Sequence, residues 1–254
     1  KKSKLRYIFE KIKLQLKMSV RKHDLIIDLY GGQSSRILVS LSRSDKKLVL
    51  HSGMIEHKGF VKREAHIYTN SYHMSNVQLQ ILDYFPLEHD VSLSTQPYIQ
   101  TSSTSLDIED VSYLDDLSVG PRHFIVSMGS GDSKKIIAFE KVAKLCRFIV
   151  DTYQLIPVVV CNPGQEFIQR DISDKLSALG VEHIQLRLIS ISAIAHLMQR
   201  VGFVVVPDTG LFHLAIGVGV PILGIFTHTN PELVRPYCGE YEIGKTTIFF
   251  EGIH

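Results

Sequence analysis

Cysteine is scarce in this chain of 254 residues, where Cys146, Cys161 and Cys238 are the only three. They are odd in number, widely spaced and set mostly in apolar surroundings, so they read as reduced core residues of a cytoplasmic protein and exclude a cysteine-based zinc motif. The 12 histidines contain no HxxxH or HExxH spacing, so no metal site is expected. Charge is nearly balanced, and a formal net charge of +2 gives no reason to expect nucleic acid as a partner. No apolar run approaches the roughly 18 to 20 residues of a membrane-spanning helix. Internal repeats and low-complexity tracts are also missing. What is present is 44% hydrophobic content with ordinary charge, the composition of a soluble globular protein that can bury one large core or two small ones.

The most informative stretch runs from Gly202 to Phe226. Phe203 to Val206 is a short apolar run of the kind buried in a parallel sheet, Pro207 stops it, and Asp208-Thr209-Gly210 makes a tight turn. A helix should follow, with Leu211, Leu214 and Ala215 as its buried stripe and Gly217 and Gly219 at its end, before a strand over Val220 to Phe226. In open α/β folds such a turn lies at the carboxyl edge of the sheet, where ligands bind. The first turn of a helix has unpaired N–H groups and the positive end of the macrodipole, which suits a phosphate or diphosphate. Gly210 would allow close approach, Thr209 offers a hydroxyl donor, and His213 projects from the same turn. Asp208 would be repelled by a diphosphate, so it is expected to accept from backbone N–H groups as a cap or from a sugar hydroxyl. A plainer reading leaves Asp208 and Thr209 as helix caps and His213 as a half-buried surface residue.

Asp-Thr-Gly-Leu-Phe-His-Leu-Ala (Asp208 to Ala215), then Gly-Val-Pro-Ile-Leu-Gly-Ile-Phe and Thr229-Asn230-Pro231, resembles the signature of the family 9 glycosyltransferases, the ADP-heptose:lipopolysaccharide heptosyltransferase family. Thr227 and His228 replace the Gly-Pro of that signature, and Asn230 replaces its Asp. The resemblance implies a GT-B fold: two Rossmann-like, doubly wound α/β domains facing a cleft. The amino-terminal, acceptor-side domain and a linker would occupy residues 1–120, and the nucleotide-sugar donor-binding domain residues 121–254.

His23-Asp-Leu-Ile-Ile-Asp-Leu-Tyr-Gly-Gly32 also resembles the family, at a point in the middle of its amino-terminal domain. Asp24 to Tyr30 reads as a strand, Ser34 to Leu41 as a helix and Lys47 to His51 as the next strand. Members of the family begin with a strand and a Gly-Asp turn that supplies the proposed general base. Nothing in Lys1 to Lys22 matches that unit, so this domain is expected to be incomplete, the chain starting inside its gene, and no general base is identified. Lys1 to Lys22 is instead strongly basic, with Glu10 its only acid and Leu5, Ile8, Phe9, Ile12 and Leu16 at helical spacing. Such a helix either packs its stripe on a sheet or lies on an anionic membrane, and lipopolysaccharide acceptors sit at the inner leaflet. His73 to Leu87 suggests a helix, and Ser92 to Pro121 a loop-rich linker with one short strand.

After the linker, strands and helices alternate regularly. His123 to Ser127, Ile156 to Cys161 and Ile184 to Leu186 read as strands. One helix carries Phe139, Val142, Cys146 and Ile149 on one stripe, a second ends near Leu179, and a third is capped by Ser190 or Ser192. This pattern means a doubly wound parallel sheet. Gly129 to Lys135 is a second place where phosphate chemistry is credible, since Gly and Ser expose N–H groups and hydroxyls and a lysine closes the loop. It is not a Walker A loop. The resemblance implies a lysine here that contacts the donor phosphates: Lys135, with Ser130 and Gly131 as loop contacts and Lys134 as the alternative register. Ile137 stands where members carry Trp, a residue this chain lacks altogether. The resemblance further implies an acidic residue on the donor ribose, for which Glu166 is the candidate; a glutamate in a first helical turn is also ordinary dipole capping.

The expected activity is metal-independent, inverting transfer of heptose from ADP-heptose to a lipopolysaccharide core or related glycan, with no cofactor and with Lys135 and the Thr209-Gly210 terminus stabilising the departing diphosphate. The alternatives are another nucleotide-sugar enzyme of this architecture, such as a 2-epimerase, or a binding protein that keeps the donor fold without the chemistry.

Overall fold

The computed structural model describes residues 2–29, 33–49, 99, 108–236, 240–243 and 247–252. The chain forms two compact units, Lys1–Ser92 and Leu93–His254.

The described part of the first unit comprises α1 (Lys2–Val20), β1 (Lys22–Asp28), α2 (Gln33–Leu41) and β2 (Arg43–Val49). β1 and β2 pair in parallel, with Ile26 opposite Lys47 and Asp28 opposite Val49. A parallel pair needs a crossover, which α2 supplies. β2 begins four residues before the expected Lys47, because Arg43 to Lys46 is polar and shows no apolar alternation. Ile26 and Val39 are buried together and Met18 of α1 packs against them. The described residues of the expected α1 stripe do not share that core: Phe9 is 67% exposed, Ile12 48% and Leu16 60%. With Val20 they recur at three- and four-residue steps along one face, away from Met18. The helix expected over His73 to Leu87 lies outside the described residues.

The second unit is built on a seven-stranded sheet in the order β5-β4-β3-β6-β7-β9-β8. Its parallel strands are β3 (His123–Val126), β4 (Ile156–Val159), β5 (Ile184–Gln185), β6 (Phe203–Pro207) and β7 (Ile222–Ile225). The antiparallel strands β8 (Glu240–Ile243) and β9 (Thr247–Gly252) extend the β7 edge, an addition the sequence reading did not assign. Of the helices, α4 (Phe139–Tyr153) and α5 (Glu166–Ala178) cover one face with Val142, Cys146, Ile168 and Leu176. On the other face, α6 (Ile191–Met198) and α7 (Gly210–Val218) bury Leu197, Leu211, Phe212 and Ala215. Both faces are covered, which is why the strands are continuous Val and Ile runs rather than alternating ones. Ser190 is the cap of α6, its Oγ accepting from Ala193 N at 3.2 Å. Gly219 ends α7 in the left-handed region at φ 80°, where a side chain would be strained.

The expected linker is not wholly loop. It contains α3 (Ile108–Asp116), and Leu114 of that helix is fully buried in the second unit's core. Composition hid it, because acids and serines surround the few apolar residues. Glu109 and Asp110 suit the positive end of a helix. Asp110 also fastens it, accepting from Ser190 N at 2.9 Å and pairing with Arg187 at 3.0 Å. Burial pushes the Asp110 carboxyl up, but the Ser190 and Arg187 contacts outweigh it and hold it below the ordinary range. Arg187 in turn lies 4.4 Å over the Tyr113 ring.

Candidate functional site

In strand order, β3 leads through β4 to β5 on one side, while β6 and β7 lie on the other. The order therefore reverses between β3 and β6, and open α/β sheets bind their ligands in the crevice outside the carboxyl ends of the strands at such a point. The loop after β3 carries Gly129 to Lys135, and the turn after β6 carries Asp208, Thr209 and Gly210.

These two segments are joined directly. Lys135 lies in a 3₁₀ turn, Ser133–Lys135, capped by Asp132, whose side chain accepts from Lys134 N. From that turn Lys135 Nζ donates to Asp208 Oδ2 at 2.5 Å and to the Asp208 carbonyl at 3.1 Å. Thr229 Oγ1 donates to the same carboxylate oxygen at 2.6 Å. The other oxygen, Oδ1, faces His213 Nε2 at 3.7 Å. Burial of Asp208 pushes its carboxyl up, but the contacts with His213, Lys135 and Thr229 and the lysine's charge outweigh that and hold it well below the usual carboxylate range. The Asp208 side chain is 9% exposed, whereas that of Lys135 is 26% exposed. An ammonium has three donors, so with two of them on Asp208 one remains for another acceptor.

Asp208 therefore does not cap α7, contrary to one expectation for it. Thr209 holds the N-cap position but makes no side-chain cap bond; its hydroxyl donates back to Pro207 O at 3.3 Å. The Asp208 oxygen Oδ2 is instead taken by Lys135 and Thr229. The first turn of α7 is thus left without a side-chain acceptor, and a Cβ at Gly210 would meet nothing within 4 Å. His213 is 54% exposed beside it.

The loop after β3 is held from the other side. Gln165 Nε2 donates to Ser130 O at 2.6 Å, and Asn162 Nδ2 donates to Gln165 Oε1 at 3.2 Å. Ser130 is buried and its Oγ accepts from Asp132 N at 3.1 Å, so this hydroxyl braces its own loop. A Cβ at Gly129 would lie 2.5 Å from Gln165 Oε1, so the end of that side chain would have to move aside; at Gly131 it would meet nothing within 4 Å. Glu166 begins α5 at the same sheet edge, accepting from Gly164 N at 3.2 Å. Bonds from its own N–H and that of Gly164 lower its carboxyl. It lies in the first turn of its helix, holds the turn before it and does not join the Lys135–Asp208 cluster. Sequence reasoning gave no role to Thr229 or Gln165; the motif position of Thr229 was the available signal, and nothing local marked Gln165. Among the described residues no group of three His, Cys, Asp or Glu side chains comes together as a metal site.

The family model for glycosyltransferase family 9 (heptosyltransferase) matches residues 12–247. The chain belongs to glycosyltransferase family 9. No curated protein matches it by sequence. Among solved structures, a family 9 glycosyltransferase from Veillonella parvula is similar with a TM-score of 0.67 and 15% identity over 89% of this chain. E. coli heptosyltransferase WaaC with ADP is similar with a TM-score of 0.56 and 16% identity over 90% of this chain, and WaaC is also found with ADP-2-deoxy-2-fluoro heptose. E. coli ADP-heptose lps heptosyltransferase II is similar with a TM-score of 0.59 and 14% identity over 94% of this chain. The chain spans 64% of the Veillonella protein and 68% and 75% of the two E. coli proteins. At such identities the likeness is one of fold, the mixed α/β, parallel-sheet GT-B type of family 9, and the expectation of two Rossmann-like units of that type holds.

Proposed function

We propose that the crevice after β3 and β6 holds the diphosphate of a nucleotide-diphosphate sugar, and that the chain serves as the donor-binding part of an inverting heptosyltransferase. The observation that carries this reading is the Lys135–Asp208 pair at the sheet's reversal point, beside a helix terminus with no side-chain cap. Neither Gly131 nor Gly210 is demanded by the protein's own packing or by a left-handed φ, so room for an anion is the reason for glycine at both. Asp208 does not oppose the anion, because Lys135 and Thr229 both donate to its Oδ2. Its Oδ1, which faces His213, is the oxygen assigned to a sugar hydroxyl.

In the reaction, the acceptor hydroxyl attacks the anomeric carbon as the bond to the diphosphate oxygen breaks, with inversion, and its proton passes to a general base on the acceptor side. Charge then grows on the leaving diphosphate, where the third Lys135 donor and the N–H groups of Gly210 and Leu211 stabilise it. ADP-heptose is the donor favoured by the family relationship and by the ligands of WaaC, and a lipopolysaccharide core or related glycan is the acceptor. Glu166 is the carboxylate nearest in the chain to the Asn162–Gln165 loop and is assigned to the ribose. The 2-epimerase alternative is disfavoured, because Asp208 is held ionised by two donors and is poorly suited to carrying a proton. Phe9, Ile12, Leu16 and Val20, flanked by Lys13 and Lys17, make α1 the surface for contact with an anionic membrane.

Calorimetric titration with ADP, UDP and GDP tests the reading. ADP-selective binding supports it, and equal affinity for the three, or none, contradicts it.

A further inference from the structure

Three residues after β7 depart from or complete the family signature: Thr227, His228 and Thr229. The Thr227 hydroxyl turns back onto the lysine loop, and that of Thr229 onto the carboxylate that holds the lysine. Thr227 Oγ1 donates to Lys134 O at 2.7 Å, and Thr229 Oγ1 donates to Asp208 Oδ2 at 2.6 Å, the oxygen that also holds Lys135 Nζ. The lysine turn is only three residues long, and none of its residues is buried. A turn of that length has little packing of its own, so its position depends on such tethers. The segment that provides them is itself anchored, because Asn230 caps the following 3₁₀ turn, Pro231–Leu233, by accepting from Glu232 N at 3.1 Å.

We propose that Thr227 and Thr229 form a two-point strap that positions Lys135, so that its third donor points at the diphosphate. Thr229 fixes the Asp208 carboxylate on which the ammonium rests, and Thr227 fixes the backbone from which the side chain springs. The family's residue at position 227 is glycine, which has no hydroxyl, so this chain carries one tether more than the signature requires. The two threonines are positioning residues: neither needs to touch the ligand. The inference rests on the donor-site reading for its consequence, but its physical content, an immobilised Lys135, does not.

The test therefore has two arms. In the first, without nucleotide, the native protein is treated with an amine-acylating reagent, and modification of Lys135 is measured against the exposed Lys134 by fragment-ion mass spectrometry. Thr229→Val should raise the relative rate at Lys135 by about threefold or more, and Thr229→Ser should restore it, because a lysine whose carboxylate support is loose is more open to the reagent than one held in place. An unchanged ratio overturns the strap. In the second arm, ADP affinity is measured for Thr229→Val and Thr227→Val in the parent protein and in Lys135→Ala. In the parent, roughly fivefold and twofold losses are expected, the size of one lost hydrogen bond acting through a neighbour. In Lys135→Ala both should have less than about twofold effect, since residues that act through one another are not additive. Equal losses in the two backgrounds would mean a merely structural role and overturn the proposal. If the parent itself fails to bind ADP, the donor reading fails and the acylation ratio alone decides the strap.

Discussion

Lys135 Nζ sits 2.5 Å from Asp208 Oδ2 across the point where the order of the parallel strands reverses. The residues are 73 apart in sequence, and their pairing ties the loop after β3 to the turn after β6. It also changes what Asp208 is for. A carboxylate beside a phosphate site is repulsive when free, but one that already holds a lysine and a threonine is a fixed support for the cation.

The first prediction concerns acid. Asp208 is held below the ordinary aspartate value of about 3.9, so its contribution to stability is fully present above that pH and is lost as pH falls through the lowered folded value. Asp208→Asn should cost roughly 2 kcal/mol at pH 7 and distinctly less near pH 3. Denaturant midpoints of both proteins at several pH values check this; a pH-independent difference would contradict it.

Gly129→Ala should separate stability from binding. The added Cβ meets the end of the Gln165 side chain, which can swing away, at the expense of its bond to Ser130 O. A stability loss of about 1 kcal/mol is expected, with an ADP affinity loss of roughly three- to tenfold as the loop loosens. Thermal melts and calorimetry on the same sample give both numbers.

Much of this was legible in the sequence. The Val-rich runs and the regular helix stripes gave the doubly wound unit, because a sheet covered on both faces must have continuous apolar strands. Gly210 and Lys135 stood out because few residue types suit an anion. The Lys135–Asp208 bond was not legible, since nothing local tells a carboxylate whether it will cap the next helix or reach a distant loop. Thr229 and Gln165 were missed for the same reason: their partners are remote. The α3 helix was obscured by polar composition, although Leu114 is among the most deeply buried residues. In α1 the stripe was visible, but its direction was not, since the same spacing serves a core and a free surface equally.

Cys146 provides a packing test for the α4 stripe. Burial pushes its thiol up to about 12. It should stay unmodified by iodoacetamide at pH 8 in the native protein and react once the protein is unfolded, as peptide mass spectrometry of that residue would reveal. Native modification at the rate of an ordinary exposed thiol would contradict the packing of α4 on the sheet.

For α1, vesicle sedimentation separates the two readings of its exposed stripe. Binding to anionic vesicles should exceed binding to neutral ones by about tenfold or more at low salt and weaken as salt rises. Equal binding to both lipids, or none, would contradict a membrane role for Phe9, Ile12 and Leu16.

The most direct measurement is an ADP titration of the parent protein beside Lys135→Ala and Lys134→Ala. Lys134 is adjacent in sequence and carries the same kind of side chain, but only Lys135 reaches Asp208. The account predicts that Lys135→Ala weakens ADP binding by about ten- to a hundredfold, the worth of one charge-assisted contact, while Lys134→Ala stays within twofold. The reverse pattern, or equal losses, would contradict the assignment of Lys135 to the diphosphate.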